Sequence, residues 1–189
     1  TSRTGTGSPS NDLGGPARIA PLIYCYRDNL DELLNIASAY TMITHCGPGV
    51  SDGTLFLARS CFLVLHGNSP RKAFEQAMDF SFKDPELELR LCQCLEITNL
   101  SVIEATKKFG QMCAIHGALP AAVYTVLRNE NNLEQALTET VMAGGDSAAR
   151  GMVVGMILSA HLGIESIPSL WRTDMTNYNR IVKNIDTLP

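Results

Sequence analysis

Aromatic side chains make up 6% of the 189 residues, with a single tryptophan, and the 15 Lys and Arg are outnumbered by 19 Asp and Glu, for a formal net charge of -4. So few cations, scattered rather than striped, cannot neutralise a phosphate backbone, which excludes nucleic acid and anionic membrane surfaces as partners. Long apolar runs are also missing. The longest, Met152 to Leu162, is bounded by Arg150 and Glu165, well short of the roughly 20 residues that cross a bilayer, and it reads as a core helix. No run of alternating β-branched residues competes for a strand, and no period of 20 to 50 residues suggests a solenoid. Gly-x-Ser-x-Gly elbows, phosphate-binding Gly-rich Lys loops and His/acid pairs at metalloprotease spacing are all absent.

The polar stretch Thr1 to Asp12 has no apolar segment of the kind a signal peptide needs, and the chain opens on Thr1 rather than Met. Residues 1–13 are expected to form a flexible lead, followed by one helical domain over 14–189. The opening suggests a processed, cut or partial chain. Six cysteines show no framework spacing and sit mostly among apolar neighbours, so buried reduced thiols in an intracellular, cytoplasmic protein are expected. Cys92 and Cys94, two apart, should point to different sides of a helix.

What is present is helix after helix. Asn29 or Asp28 can cap Leu30 onward, with Asp31 and Glu32 in the first turn and Leu30, Leu33, Leu34, Ala37 and Tyr40 along one face. A second helix runs from Ser51 to a stop at Gly67, a third follows Ser69 and Pro70, and Ser101 with Glu104 forms a capping box ahead of a stop at Gly110. Further helices are expected over Pro85 to Ile97, Pro120 to Arg128, Leu133 to Met142, Ser147 to Leu162 and Asp174 to Asp186. In the Ser147 helix, Ser147, Gly151, Gly155, Ser159 and Gly163 recur every four residues. Interior glycines cost up to about 1 kcal/mol each against alanine, and close packing against a neighbour at the centre of the fold is the expected compensation. The fold class is all-α, a compact multi-helix orthogonal bundle.

Three stretches in order resemble the C-terminal part of the ADP-ribosylglycohydrolase family: "GGPARIAPL" from Gly14, "THCGPGVSDGTLFLA" from Thr44, and the long run from Gly117 to Trp171 that contains "AGGDSAARG". The resemblance implies an all-α fold, here without its N-terminal part, and metal-assisted hydrolysis of an ADP-ribose N- or O-glycosidic bond with magnesium as cofactor. The family's metal loop reads Gly-Gly-Asp-Thr-Asp-Thr. Here Gly144, Gly145, Asp146, Ser147, Ala148 and Ala149 occupy those positions, and Arg150 follows. Two oxygen donors are lost and a positive charge is added, so magnesium is expected to bind weakly or not at all. The loop is closer to the branch of J1-crystallins and selenoprotein J, which implies a catalytically silent structural or interaction protein, or a non-hydrolytic binder of ADP-ribose, as alternatives. The missing N-terminal acidic turn suggests a companion N-terminal fragment or chain as partner.

The candidate ligand-binding residues are Gly144, Gly145, Asp146, Ser147, Arg18 and His45, with Asp146 also the candidate metal ligand; no catalytic residue is assigned. Each has a plainer reading. Asp146 suits a helix N-cap with an Arg150 ion pair, Gly144 and Gly145 suit the end of the preceding helix, and His45 suits a hydrogen-bonded structural role. His66, His116 and His161 read as structural, Trp171 and Tyr178 as core, and Asp12 is set aside as a ligand.

Overall fold

Capping chemistry sets most helix starts in the computed structural model, which describes residues 7–188. The helices in chain order are α1 (Ala20–Cys25), α2 (Leu30–Met42), α3 (Val50–Leu65), α4 (Pro70–Ala77), α5 (Pro85–Glu96), α6 (Val102–Phe109), α7 (Ile115–Arg128), α8 (Leu133–Met142), α9 (Ser147–Leu162), α10 (Ser169–Thr173) and α11 (Tyr178–Ile185). Short 3-10 turns at Pro16–Arg18 and Ile164–Ser166 complete the described residues, which contain no strand beyond two isolated bridges. Side chains of Asn29, Ser69, Asp84, Ser101, Asn132 and Asp146 each accept a backbone N–H from the first turn that follows, and Ser101 with Glu104 closes the expected capping box.

The core sits where α3, α7 and α9 pack together, with α2 and α4 against α3, α5 and α6 against α7, and α8 against α9. Phe56, Leu57, Leu119, Val123, Val153 and Ile157 are fully buried there. Burial of such side chains contributes roughly 1.5–3 kcal/mol each. The buried Tyr124 is satisfied twice, donating its hydroxyl to the Leu100 carbonyl at 2.7 Å and accepting the Leu100 N–H at 3.1 Å.

Several expectations need correction. α7 begins at Ile115 rather than Pro120, which lies inside the helix. A proline there costs about 3 kcal/mol, because its ring removes one helical hydrogen bond; the continuous burial of Ile115 and Gly117 through Val126 offsets it. The small-residue stripe of α9 is not central: Gly151 and Gly155 are half-buried, and a Cβ on either would come no closer than 4.0 Å to Thr140 or Leu137 of α8. The buried face of α9 is instead Ala149, Arg150, Val153, Val154, Ile157 and Leu158. Neither α10 nor α11 buries a residue, so Trp171 is not core but 42% exposed, and Tyr178 is half-buried. The expected helix over Asp174 to Asp186 starts only at Tyr178.

Of the six cysteines, Cys61 and Cys94 are buried, Cys25 and Cys46 are half-buried, and Cys92 and Cys113 are exposed, so burial of most thiols was overestimated. Cys92 and Cys94 do face opposite ways. Residues 7–13 of the expected flexible lead are packed: Gly7 and Ser8 donate N–H groups to Met42 and Thr44, and Leu13 is fully buried. The rest of that lead, residues 1–6, lies outside the described residues. No described helix is long and apolar enough to cross a membrane.

Candidate functional site

Two loops distant in sequence meet at one end of the bundle. Asp12 folds the first on itself by accepting the Gly14 N–H at 2.7 Å, while Leu13 N–H donates to the Cys113 carbonyl at 2.9 Å and Ile115 N–H to Asn11 at 2.8 Å. Gly15 lies flat on His45, where any Cβ would stand 2.8 Å from the imidazole Cγ. Arg18 donates through Nε to the Gly14 carbonyl at 2.9 Å and through Nη2 to Thr44 Oγ1 at 2.7 Å; His45 Nδ1 is 2.9 Å from the same hydroxyl. Arg18 and His45 are thus brought together through Thr44, and each has a protein partner.

The second loop ends α8 and starts α9. Gly144, at φ +70°, donates its N–H to Val141 and closes α8 as a left-handed cap. Gly145 is also left-handed, at φ +66°, and a side chain there would collide with the Gln111 carbonyl. That carbonyl accepts the Asp146 N–H at 3.2 Å, and the Gln111 side chain donates to Ala143 at 2.5 Å. Ser147 N–H turns back to the Gly145 carbonyl at 2.8 Å. Asp146 Oδ1 accepts the Ala149 N–H at 3.4 Å, the geometry of an N-cap.

Arg150 does not form the expected ion pair with Asp146. It is 1% exposed and gives its Nη2 to the Gly144 carbonyl, while its Nε and Nη1 are buried without a hydrogen-bond partner among the described residues. Burial pushes its pKa down, and the negative charge of Asp146 opposes that. The loops are linked through Cys113: a hydrogen bond with the Asp12 side chain, burial, and the charges of Asp12 and Asp146 all raise its thiol pKa. Asp12, set aside in the sequence, is therefore a partner of the Cys113 thiol. Nothing local in the sequence signals this, because Asp12 and Cys113 meet only through the tertiary fold. Among the described residues no three His, Cys, Asp or Glu side chains are grouped to hold a metal.

A second polar pair lies at the start of α7. His116, at the start of α7, places Nε2 2.9 Å from Asp84 Oδ2, with the two side chains only 13% and 16% exposed. Asp84 Oδ1 caps α5 by accepting the Glu86 and Leu87 N–H groups. Burial works to raise the Asp84 pKa, but the Leu87 N–H, His116 and the Glu86 N–H together hold it below its ordinary value. Gly49, at φ +74°, leaves room for the imidazole, since a Cβ there would stand 3.1 Å from it. The pair lines a cavity of about 600 Å³ together with Asn11, Arg90, Lys108 and Met112. The pairing of Asp84 with His116, 32 positions away, carries no local signal in the sequence.

The family model for ADP-ribosylglycohydrolase matches residues 1–188. Crystallin J1A of Tripedalia cystophora is 30% identical over 125 residues, covering 66% of this chain and 38% of that protein. ADP-ribosylhydrolase ARH3 of Gallus gallus is 24% identical over 215 residues, covering 97% of this chain and 58% of that protein. The chain thus spans less than two thirds of the length of either relative. A solved structure described as an ADP-ribosylglycohydrolase-related protein complex superposes with a TM-score of 0.77 at 23% identity, over 95% of this chain and 60% of that one, and shares its fold. With the family model spanning nearly every residue, the chain belongs to the ADP-ribosylglycohydrolase family.

Proposed function

We propose that this chain is a crystallin-like member of its family that does not hydrolyse ADP-ribosyl bonds through a magnesium centre of its own. The observation that carries the reading is the loop from Gly144 to Arg150. A hard divalent cation takes six or more oxygen ligands, several of them charged. Here the one carboxylate of the loop, Asp146, is directed to the Ala149 N–H, Ser147 is followed by two alanines at 148 and 149, and the buried cation is a guanidinium with two nitrogens unpaired among the described residues. An unpaired buried positive charge beside the loop disfavours a second cation. The residues present do not fit magnesium.

Binding of ADP-ribose without hydrolysis is the second reading. It is favoured by the cluster of Arg18, Thr44 and His45 beside Gly14 and Gly15, the residues that most resemble the family's first two motifs. A companion chain supplying the remaining length of the relatives fits either reading, and native mass spectrometry of the protein from its source tests it. The deciding experiment is calorimetry on the purified chain with magnesium chloride and then ADP-ribose, beside an assay for ADP-ribose release from an ADP-ribosylated protein. No magnesium heat and no release are expected. Heat from ADP-ribose alone selects the binding reading, while tight magnesium binding with release overturns the proposal.

A further inference from the structure

α9 carries the longest apolar run of the chain, and no Asp, Glu, Lys or Arg occurs between Arg150 and Glu165. One side of the helix is buried through Val153, Val154, Ile157 and Leu158. The other side is not: Met152 is 46% exposed, and Gly151, Gly155, Met156, Ser159 and Ala160 are half-buried. A helix that borders water carries polar and charged residues on its outer face, whereas one that is apolar all round is normally covered all round. From Ala148 to Ala160 the outer side of α9 offers water one side-chain polar group, the hydroxyl of Ser159.

The open side continues onto α8. A Cβ on Gly151 or Gly155 would stand 4.0 Å from Thr140 or Leu137, and Leu137 in turn lines an apolar cavity of about 410 Å³ with Thr138, Val141, Met142 and Trp171. Val141 and Met142 are 64% and 68% exposed. Contiguous apolar surface of this kind marks an interaction site, and the missing side chains at Gly151 and Gly155 shape it as a trough into which the ridge of a second helix can pack. The solved relative supplies the length for such an occupant. It superposes over 95% of this chain, yet the shared part is only 60% of that relative, so its fold contains further chain with no counterpart here.

We propose that the outer side of α9, with the adjoining surface of α8, docks an apolar helix belonging to the part of the ADP-ribosylglycohydrolase fold that this chain does not span. The inference rests on family membership and on the companion segment named above, not on the state of the Asp146 loop. Magnesium and ADP-ribose titrations therefore decide the loop, and the docking experiment decides the face, each without the other.

The test is native mass spectrometry of the full chain, alone and co-expressed with the part of Gallus gallus ARH3 that lies outside the 58% this chain covers, with analytical ultracentrifugation to read the affinity. A one-to-one complex is expected. Met152→Lys, an outward change in mid-helix that leaves the fold intact, places a charge in the docked face and weakens the complex by at least about tenfold. Leu89→Lys on α5, where the wild-type side chain is 58% exposed, leaves it within about twofold. Gly155→Ala reads with opposite signs, raising the melting temperature of the isolated chain while weakening the complex, because the added methyl stands in the trough. Absence of a complex, a complex indifferent to Met152→Lys, or a homodimer of the chain that Met152→Lys dissolves overturns the assignment.

Discussion

Asp52, 2% exposed within α3, accepts the backbone N–H groups of Lys83 and Asp84 on its Oδ2, each at 2.7 Å, and so fixes the position from which Asp84 reaches His116. Two charge-assisted hydrogen bonds converge on one buried oxygen. Asp52→Ala leaves both N–H groups without that acceptor and is expected to lower unfolding free energy by about 2–4 kcal/mol. Asp52→Asn keeps one carbonyl oxygen and is expected to lose about half as much. Urea denaturation of the three proteins measures the series, and equal losses for Ala and Asn would show that the carboxylate's charge, rather than one acceptor oxygen, matters.

The depressed pKa of Asp84 gives stability a definite acid limb. Its folded value lies below the ordinary 3.8, so its contribution is fully present above that unfolded value and disappears as pH falls through the folded one. Wild type is therefore expected to lose its advantage over Asp84→Asn progressively below about pH 4, with the two curves parallel above it. Denaturation midpoints between pH 2.5 and 6 test this, and a difference that persists unchanged to the lowest pH contradicts the assignment.

What was legible in the sequence was whatever is decided locally. Ser101 and Glu104 meet within one turn, Asn29 faces the N–H three residues on, and Asp146 does the same for Ala149, so the caps and the all-α class were readable from spacing alone. Pro120 misled because proline is a reliable helix-start signal only when burial does not override it. The stripe of small residues on α9 misled because periodicity identifies a face without naming what covers it. Arg18 and His45 were found through resemblance, but their junction at Thr44 was not. Asp12 with Cys113, and Asp84 with His116, are separated by 101 and 32 positions, and only the tertiary fold pairs them.

The same α9 face yields a stabilisation. A Cβ at Gly155 reaches Leu137 at 4.0 Å, ordinary contact distance, and the residue lies in mid-helix. Gly155→Ala is expected to raise stability by about 0.4–1 kcal/mol through the loss of unfolded-chain freedom. Gly145→Ala should do the reverse, because a left-handed φ of +66° and the Gln111 carbonyl both exclude a side chain; a loss of at least about 1 kcal/mol is expected. Thermal melts of the two variants read opposite signs, and a destabilised Gly155→Ala would restore the close-packing explanation for the stripe.

Asp146 separates a helix cap from a metal ligand through a single conservative change. Asparagine caps a helix about as well as aspartate, whereas alanine forfeits about 0.5–2 kcal/mol. As a cap, Asp146→Asn should stay within a few tenths of a kcal/mol of wild type while Asp146→Ala loses about 1 kcal/mol. Magnesium at millimolar concentration should leave the melting temperatures of all three proteins unchanged. A ligand behaves differently: magnesium stabilises the wild type by preferential binding to the folded state, and both substitutions abolish that gain, because the neutral amide lacks the charge that a hard cation requires. Melts of the three proteins with and without magnesium therefore distinguish the roles, and a magnesium-dependent rise confined to the wild type would return Asp146 to the metal-binding chemistry of its family.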